Sequence, residues 1–155
     1  MRTLLDPRIR AITGERIARL HPDAERRWGR MNAHQMVCHL TDAYRGLLGE
    51  GSPASVGRRP KLFGRTVMKW VALYSPTPWP HGVRTRPEID QEKGGTRPRE
   101  FRLDLAAHES ICDRFLHNLE TVAAHPHFLF GHLSPAEWAR WAYLHTDHHL
   151  RQFGL

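Results

Sequence analysis

Apolar residues recur at three- and four-residue intervals over four stretches of the chain, and nowhere do they alternate long enough to suggest paired strands. The first stretch, "DPRIRAITGERIARL", opens with Asp6 as a cap and Pro7 at the first helical position. Its Ile9, Ile12, Ile17 and Leu20 are expected to share a broad buried face. The second, "NAHQMVCHLTDAYRGLLG", begins with Asn32 and Gln35 at capping-box spacing and meets a helix-ending glycine at Gly49. A third long helix is expected from about residue 104 to 124, with Leu105, His108, Cys112, Phe115, Leu116, Leu119, Val122 and Ala123 along one side. The last has the clearest start: in "SPAE", Ser134 caps, Pro135 occupies the first turn and Glu137 closes the box.

Between about residues 49 and 100 the chain is rich in Gly, Pro and Arg. This segment holds one short helical stretch, "KLFGRTVMKWVALY", and then the loop "SPTPWPHGVRTRPEIDQEKGGTRPRE". A connection of such length is expected to carry function or to cross one end of a bundle. Helix, helix, long crossover, helix, helix is the order of an all-α four-helix bundle with a non-standard connection. At 155 residues it is expected to form a single domain over 1–155.

Composition narrows the classes. Forty per cent hydrophobic and 25% charged residues are ordinary for a soluble globular chain. No apolar run approaches the length of a membrane helix, and "MRTLLDPRIR" lacks the apolar core of a signal peptide. Cys38 and Cys112 lie far apart in helical stretches, so no disulfide framework is expected and a reducing, cytoplasmic setting is. Cys112 reads as a small buried hydrophobe. The net charge of +7 raises the question of nucleic acid. Its sources, "ERR", "GRR", "RTR" and "TRPREFR", are scattered beside prolines and glycines, with no recognition-helix pattern. A solvated basic surface is the reading; an anionic ligand is the other use of the charge, and neither nucleic acid nor membrane is the expected partner.

The candidate chemistry lies in the histidines. Each helical residue advances about 100°. Around the last helix, Trp138, Trp141, Ala142, His149 and Gln152 then fall on the side of His145, with Arg140, Asp147 and Arg151 near the opposite side. His145 and His149 are expected to point inward, His148 to flank them. Two imidazoles at i and i+4 are neighbours that can grip one cation. Two protein ligands rarely suffice, so a third should come from another helix. His39, at the edge of the buried arc of the second helix, is the candidate, and His108 the reserve. His34 reads as solvated. His21, His81, His117, His125, His127 and His132 read as turn or surface residues without chemistry.

"WGRMNAHQMVCHLTDAYRGLLGE" together with "HPHFLFGHLSPAEWARWAYLHTDHHLRQFGL" resembles the DinB-like (YfiT-like) metalloenzyme superfamily, in a branch known only as a domain of unknown function. The resemblance covers almost the whole chain. It implies a four-helix bundle in up-down-down-up order with a three-histidine metal site at one end, the ligands being His39, His145 and His149. It further implies zinc or nickel as the metal, a homodimer, and a small-molecule reaction of the hydrolase or thiol-transferase type. One departure is that the sequence ends six residues after His149, so a pocket wall that relatives build from later residues is expected either to be missing or to be supplied by the crossover.

Three imidazoles leave a cation with an open position, as in catalytic sites. Such an ion can acidify water toward a pKa of about 7 or activate a thiol. No inward carboxylate identifies a general base. Asp42 could orient a ligand but reads as solvated or capping; Gln152 could orient a ligand histidine or simply pack. Trp138 and Trp141 are expected in the core or pocket wall, and Trp70 and Trp79 in a lid, the core or a dimer contact. The competing class is a non-catalytic bundle, an interaction or nucleic-acid-associated module with structural metal or none.

Overall fold

The computed structural model describes residues 1–50 and 62–155, and of 62–64 only the helical backbone. The described residues form six α-helices: α1 Pro7–Ala18, α2 Ala33–Leu47, α3 Leu62–Tyr74, α4 Phe101–His117, α5 Leu119–Ala123 and α6 Pro135–Gln152. A 3-10 turn, Pro87–Ile89, lies in the crossover. The described residues contain no strand, only a bridge between His127 and Gly131. The basic pair Arg58–Arg59 and Lys61, at the expected opening of the crossover helix, lie outside the described residues.

The helix starts follow the local chemistry. Asn32 and Ser134 each accept from the backbone N–H three residues on, while Gln35 and Glu137 accept in return from the cap backbone. Asp6 caps α1. Gly49, at φ +76°, turns the chain out of α2.

Contacts fix the helix directions. Leu4 N donates to Ala139 O, and Arg2 reaches the Tyr143 hydroxyl, where α1 begins. Arg16, near its end, bonds Asp147 and the backbone oxygen of Leu155, so α1 and α6 run parallel. His34 meets Asp104 and, further along, Tyr44 packs on Phe115, so α2 and α4 are also parallel. Tyr44 bonds Thr146 while Met36 and Val37 share a cluster with Leu150 and Phe153, which makes α2 and α6 antiparallel. The all-α bundle is therefore up, down, down, up, with α3 and the 3-10 turn in the long connection.

Two apolar clusters hold the bundle together. One gathers Tyr44, Phe115, Trp138 and Trp141; the other gathers Leu20, Met36, Leu40, Leu150 and Phe153. Each fully buried aromatic or aliphatic side chain contributes roughly 1.5–3 kcal/mol. Along α6 the first cluster ends by Leu144 and the second begins at Leu150. His145 and His149 occupy the gap between them.

Two expectations about elements are corrected. The third long helix starts at Phe101, because the Glu100 carboxylate accepts from Arg102 N and Leu103 N, and it breaks at Asn118 into α4 and α5. In α1, Ile12 is 43% exposed, and the buried residue is Thr13, whose hydroxyl donates to Ile9 O at 2.8 Å. A hydroxyl that returns its bond to the preceding turn can be buried at little cost. No helix among the described residues is long and apolar enough to cross a membrane.

Candidate metal centre

His39 from α2 and His145 and His149 from α6 come together in the interior, with exposures of 4%, 9% and 8%. Their rings lie 5.2 Å (39–145), 4.7 Å (39–149) and 4.9 Å (145–149) apart between centroids. One nitrogen from each falls within 4.8 Å of the other two. His39 Nε2 and His145 Nε2 are 3.2 Å apart. This is a buried cluster capable of coordinating a divalent metal ion.

Hydrogen bonds orient two of the three rings. The Ile89 carbonyl can only accept, so His39 Nδ1, 2.8 Å away, carries the hydrogen and Nε2 presents a lone pair. The Gln152 amide nitrogen donates to Trp28 O at 2.7 Å, which turns its Oε1 toward His149 Nδ1 at 3.1 Å. His149 Nδ1 is thereby also a donor and its Nε2 is bare. His145 Nδ1 is buried without a hydrogen-bond partner among the described residues. Burial is the first cause that lowers all three histidines from their ordinary range; for His145 and His149 neighbouring histidines add to it. Each is held neutral, the form that ligates metal.

The Gln152 bridge needs a glycine. Gly29 sits at φ +80°, and a Cβ there would lie 2.3 Å from Gln152 Nε2. Gly29 both adopts the left-handed turn and admits the amide.

The crossover covers this face. Trp79 lies 6.2 Å from the His145 ring and 6.1 Å from His148, anchored by its own indole N–H on Ala72 O. Trp28 and His81 stack at 4.0 Å with their planes 10° apart, and both lie 6.1 Å from His148. His148 is 5.2 Å from His149, and burial, then His81, lowers its pKa. Trp70, by contrast, is 63% exposed on α3 and takes no part. Trp138 and Trp141 are core, Trp141 lying 4.8 Å from His145.

A family model described as a protein of unknown function, DUF1569, matches residues 11–154. The chain belongs to the DUF1569 family. No curated protein and no solved structure matches it.

Several polar residues of this DUF1569 chain stand elsewhere than their sequence context suggested. Asp42 is buried, not solvated: it accepts from Thr96 N and Thr96 Oγ1 at 2.7 Å each and from Gln91 Nε2 at 3.1 Å, which ties the crossover to α2. His34 is half-buried and bonded to Asp104 at 2.7 Å. His108, the reserve candidate, is buried against Tyr44 away from the trio, and burial lowers it to about 4. His127 is buried rather than exposed. Its Nδ1 accepts from Leu129 N and Phe130 N, and burial, then Arg86, lowers it to about 3. His81 and Trp28 were missed because neither stands in a periodic segment; they meet only once the crossover folds back over α6. A larger cleft of about 950 Å³ lies beyond Ile89 and Trp141, and none of the three histidines lines it.

Proposed function

We propose that His39, His145 and His149 hold one divalent transition metal, zinc or nickel, and that the protein is a metal-dependent enzyme of the hydrolase or thiol-transferase type. The observation that supports this most is the approach of His39 Nε2 to His145 Nε2 at 3.2 Å while His39 Nδ1 is committed to a carbonyl. A proton between those two nitrogens would satisfy two lone pairs and leave that of His149; a cation satisfies all three. Two imidazoles at about 2.0–2.1 Å from a tetrahedral ion stand about 3.3 Å apart, close to the separation found. The resemblance to the DinB-like (YfiT-like) superfamily supports the same three ligands.

A bound ion would supply Lewis acidity, lowering the pKa of a water molecule or thiol that joins it. The chain's own groups would do the rest. Among the described residues the two carboxylates that act on His39 are both engaged, Asp42 by Thr96 and Gln91 and Asp90 by Lys93 and Glu92 N. His148, at the rim and beside His81, is the group placed to accept a proton at a ring nitrogen from an incoming small molecule. The rings of Trp28 and Trp79 would bound the substrate and exclude water. The test is elemental analysis of untagged protein. About one metal per chain more in the wild type than in the His145→Ala/His149→Ala double variant, with the fold preserved, supports the reading. A folded, metal-free protein that takes up no added zinc or nickel would refute it. Screening the loaded protein against thiol-dependent and hydrolytic substrates, with His148→Ala as the rate-lowering control, then separates the two reaction types.

A further inference from the structure

A second set of donors stands elsewhere on α2, with Cys38 about 100° and His34 about 140° round the helix from His39. His34 and Cys38 are one helical turn apart, and α4, running parallel, brings Asp104 from its first turns to face them. The Asp104 carboxylate is 2.7 Å from His34 Nε2 and 3.7 Å from Cys38 Sγ, and one ligand atom of each residue lies within 4.8 Å of the others. Cys38 itself is buried. Against the upward push of burial, bonds from Arg99 N and His34 hold Asp104 below the usual carboxylate range. The carboxylate is thus an anion placed beside an imidazole and a thiol. A cleft of about 290 Å³ opens directly on Cys38 and Asp104, flanked by Arg45 and Arg99. It provides an entry path and room for a further ligand.

We propose that His34, Cys38 and Asp104 form a second cation site, separate from the histidine trio and selective for a thiophilic divalent ion such as Zn²⁺ or Co²⁺. The donor set decides the class of ion. One nitrogen, one sulfur and one carboxylate oxygen suit a borderline metal; Mg²⁺ and Ca²⁺ require all-oxygen shells. The balance is simple. Burial and then Asp104 push the Cys38 thiol up to about 12, so the ion itself must displace that proton to solvent for Sγ to bind as thiolate; His34 presents Nε2 as a lone pair with its hydrogen on Nδ1, and Asp104 binds as carboxylate. One proton leaves per ion. The two positive side chains at the cleft mean that water or a small anion completes the shell.

The sulfur makes this site visible independently of the first, because three imidazoles give no sulfur-to-metal charge transfer. Untagged, metal-stripped full chain is titrated with Co²⁺ at pH 8. The expected result is two equivalents bound, with a sulfur-to-cobalt charge-transfer band in the near ultraviolet. Cys38→Ser removes the band and one equivalent; His34→Gln and Asp104→Asn, both milder changes, weaken the band-forming step at least tenfold. The His145→Ala/His149→Ala variant loses one equivalent and keeps the band, so failure of the histidine site and failure of this one read differently. A wild-type protein without the band overturns the proposal. So does a band that survives Cys38→Ser, which would assign it to Cys112.

Discussion

At the residue scale, Gln152 shows how a single side chain can set the chemistry of another. Its amide is held by Trp28 O through Nε2, so only Oε1 can face His149, and that fixes which imidazole nitrogen is bare. Replacing Gln152 by Leu leaves the bulk and removes the acceptor. The expected outcome is a metal affinity about 10- to 100-fold weaker, with the helix content unchanged; calorimetric titration with Zn²⁺ checks it, and unaltered affinity would mean the tautomer is set some other way. Gly29→Ala attacks the same bridge from the backbone side, combining a left-handed φ with a Cβ in the space of the amide. It should cost about 2 kcal/mol in denaturant unfolding and weaken the metal site in parallel. Much of this was legible beforehand: helical periodicity alone turned His145, His149 and Gln152 to one side of the last helix, because an inward arc carrying two tryptophans leaves little choice. His34 and Asp42 were not legible. Their solvated reading assumed water outside α2, and the groups that bury them, Asp104, Gln91 and Thr96, belong to α4 and the crossover, whose positions no periodicity predicts.

At the element scale, the crossover is the part that makes a site out of a bundle. Its 3-10 turn delivers the Ile89 carbonyl to His39, and Trp79 and His81 close over α6. Asp42 is the anchor of that segment, receiving the Thr96 backbone and hydroxyl and the Gln91 amide. Hydrogen bonds to a charged acceptor contribute roughly 1.5–3 kcal/mol. Asp42→Ala is therefore expected to lower stability by about 2 kcal/mol and to speed hydrogen exchange at Thr96 N–H by more than tenfold, while α2 and α6 retain their protection. Should exchange at Thr96 stay slow, the crossover is held by contacts other than this carboxylate. The capping boxes at Asn32 and Ser134 explain why α2 and α6 could be read from the sequence to the residue at their starts. The α4–α5 break could not, since the apolar stripe from Leu105 to Val122 runs through it unchanged and its one local mark is Asn118, whose Nδ2 donates to Arg114 O at 2.7 Å where α4 ends.

At the scale of the whole molecule, burying so many neutral imidazoles makes stability depend on pH. His108 is the cleanest probe: it is fully inside, remote from the histidine trio, and its pKa falls from an ordinary 6.5 to about 4 through burial alone. The unfolded chain protonates His108 near 6.5, whereas the folded chain resists until about 4, so between these values the unfolded state binds more protons. The stabilisation is full above 6.5, declines as pH falls through that window, and levels off below about 4. For this one group the loss amounts to about 2 kcal/mol at pH 5. His127, the trio and His148 are lowered in the same direction and steepen the decline. Comparing wild type with His108→Leu isolates the single contribution. The leucine also removes the unpartnered buried Nδ1, so the variant is expected to match or exceed wild type at pH 7.5 and to outlast it by a further 2 kcal/mol or so at pH 5. Urea unfolding at the two pH values measures this difference directly. Parallel stability curves for the two proteins would show that His108 is already protonated inside the fold, with a partner that α2 and α4 do not supply.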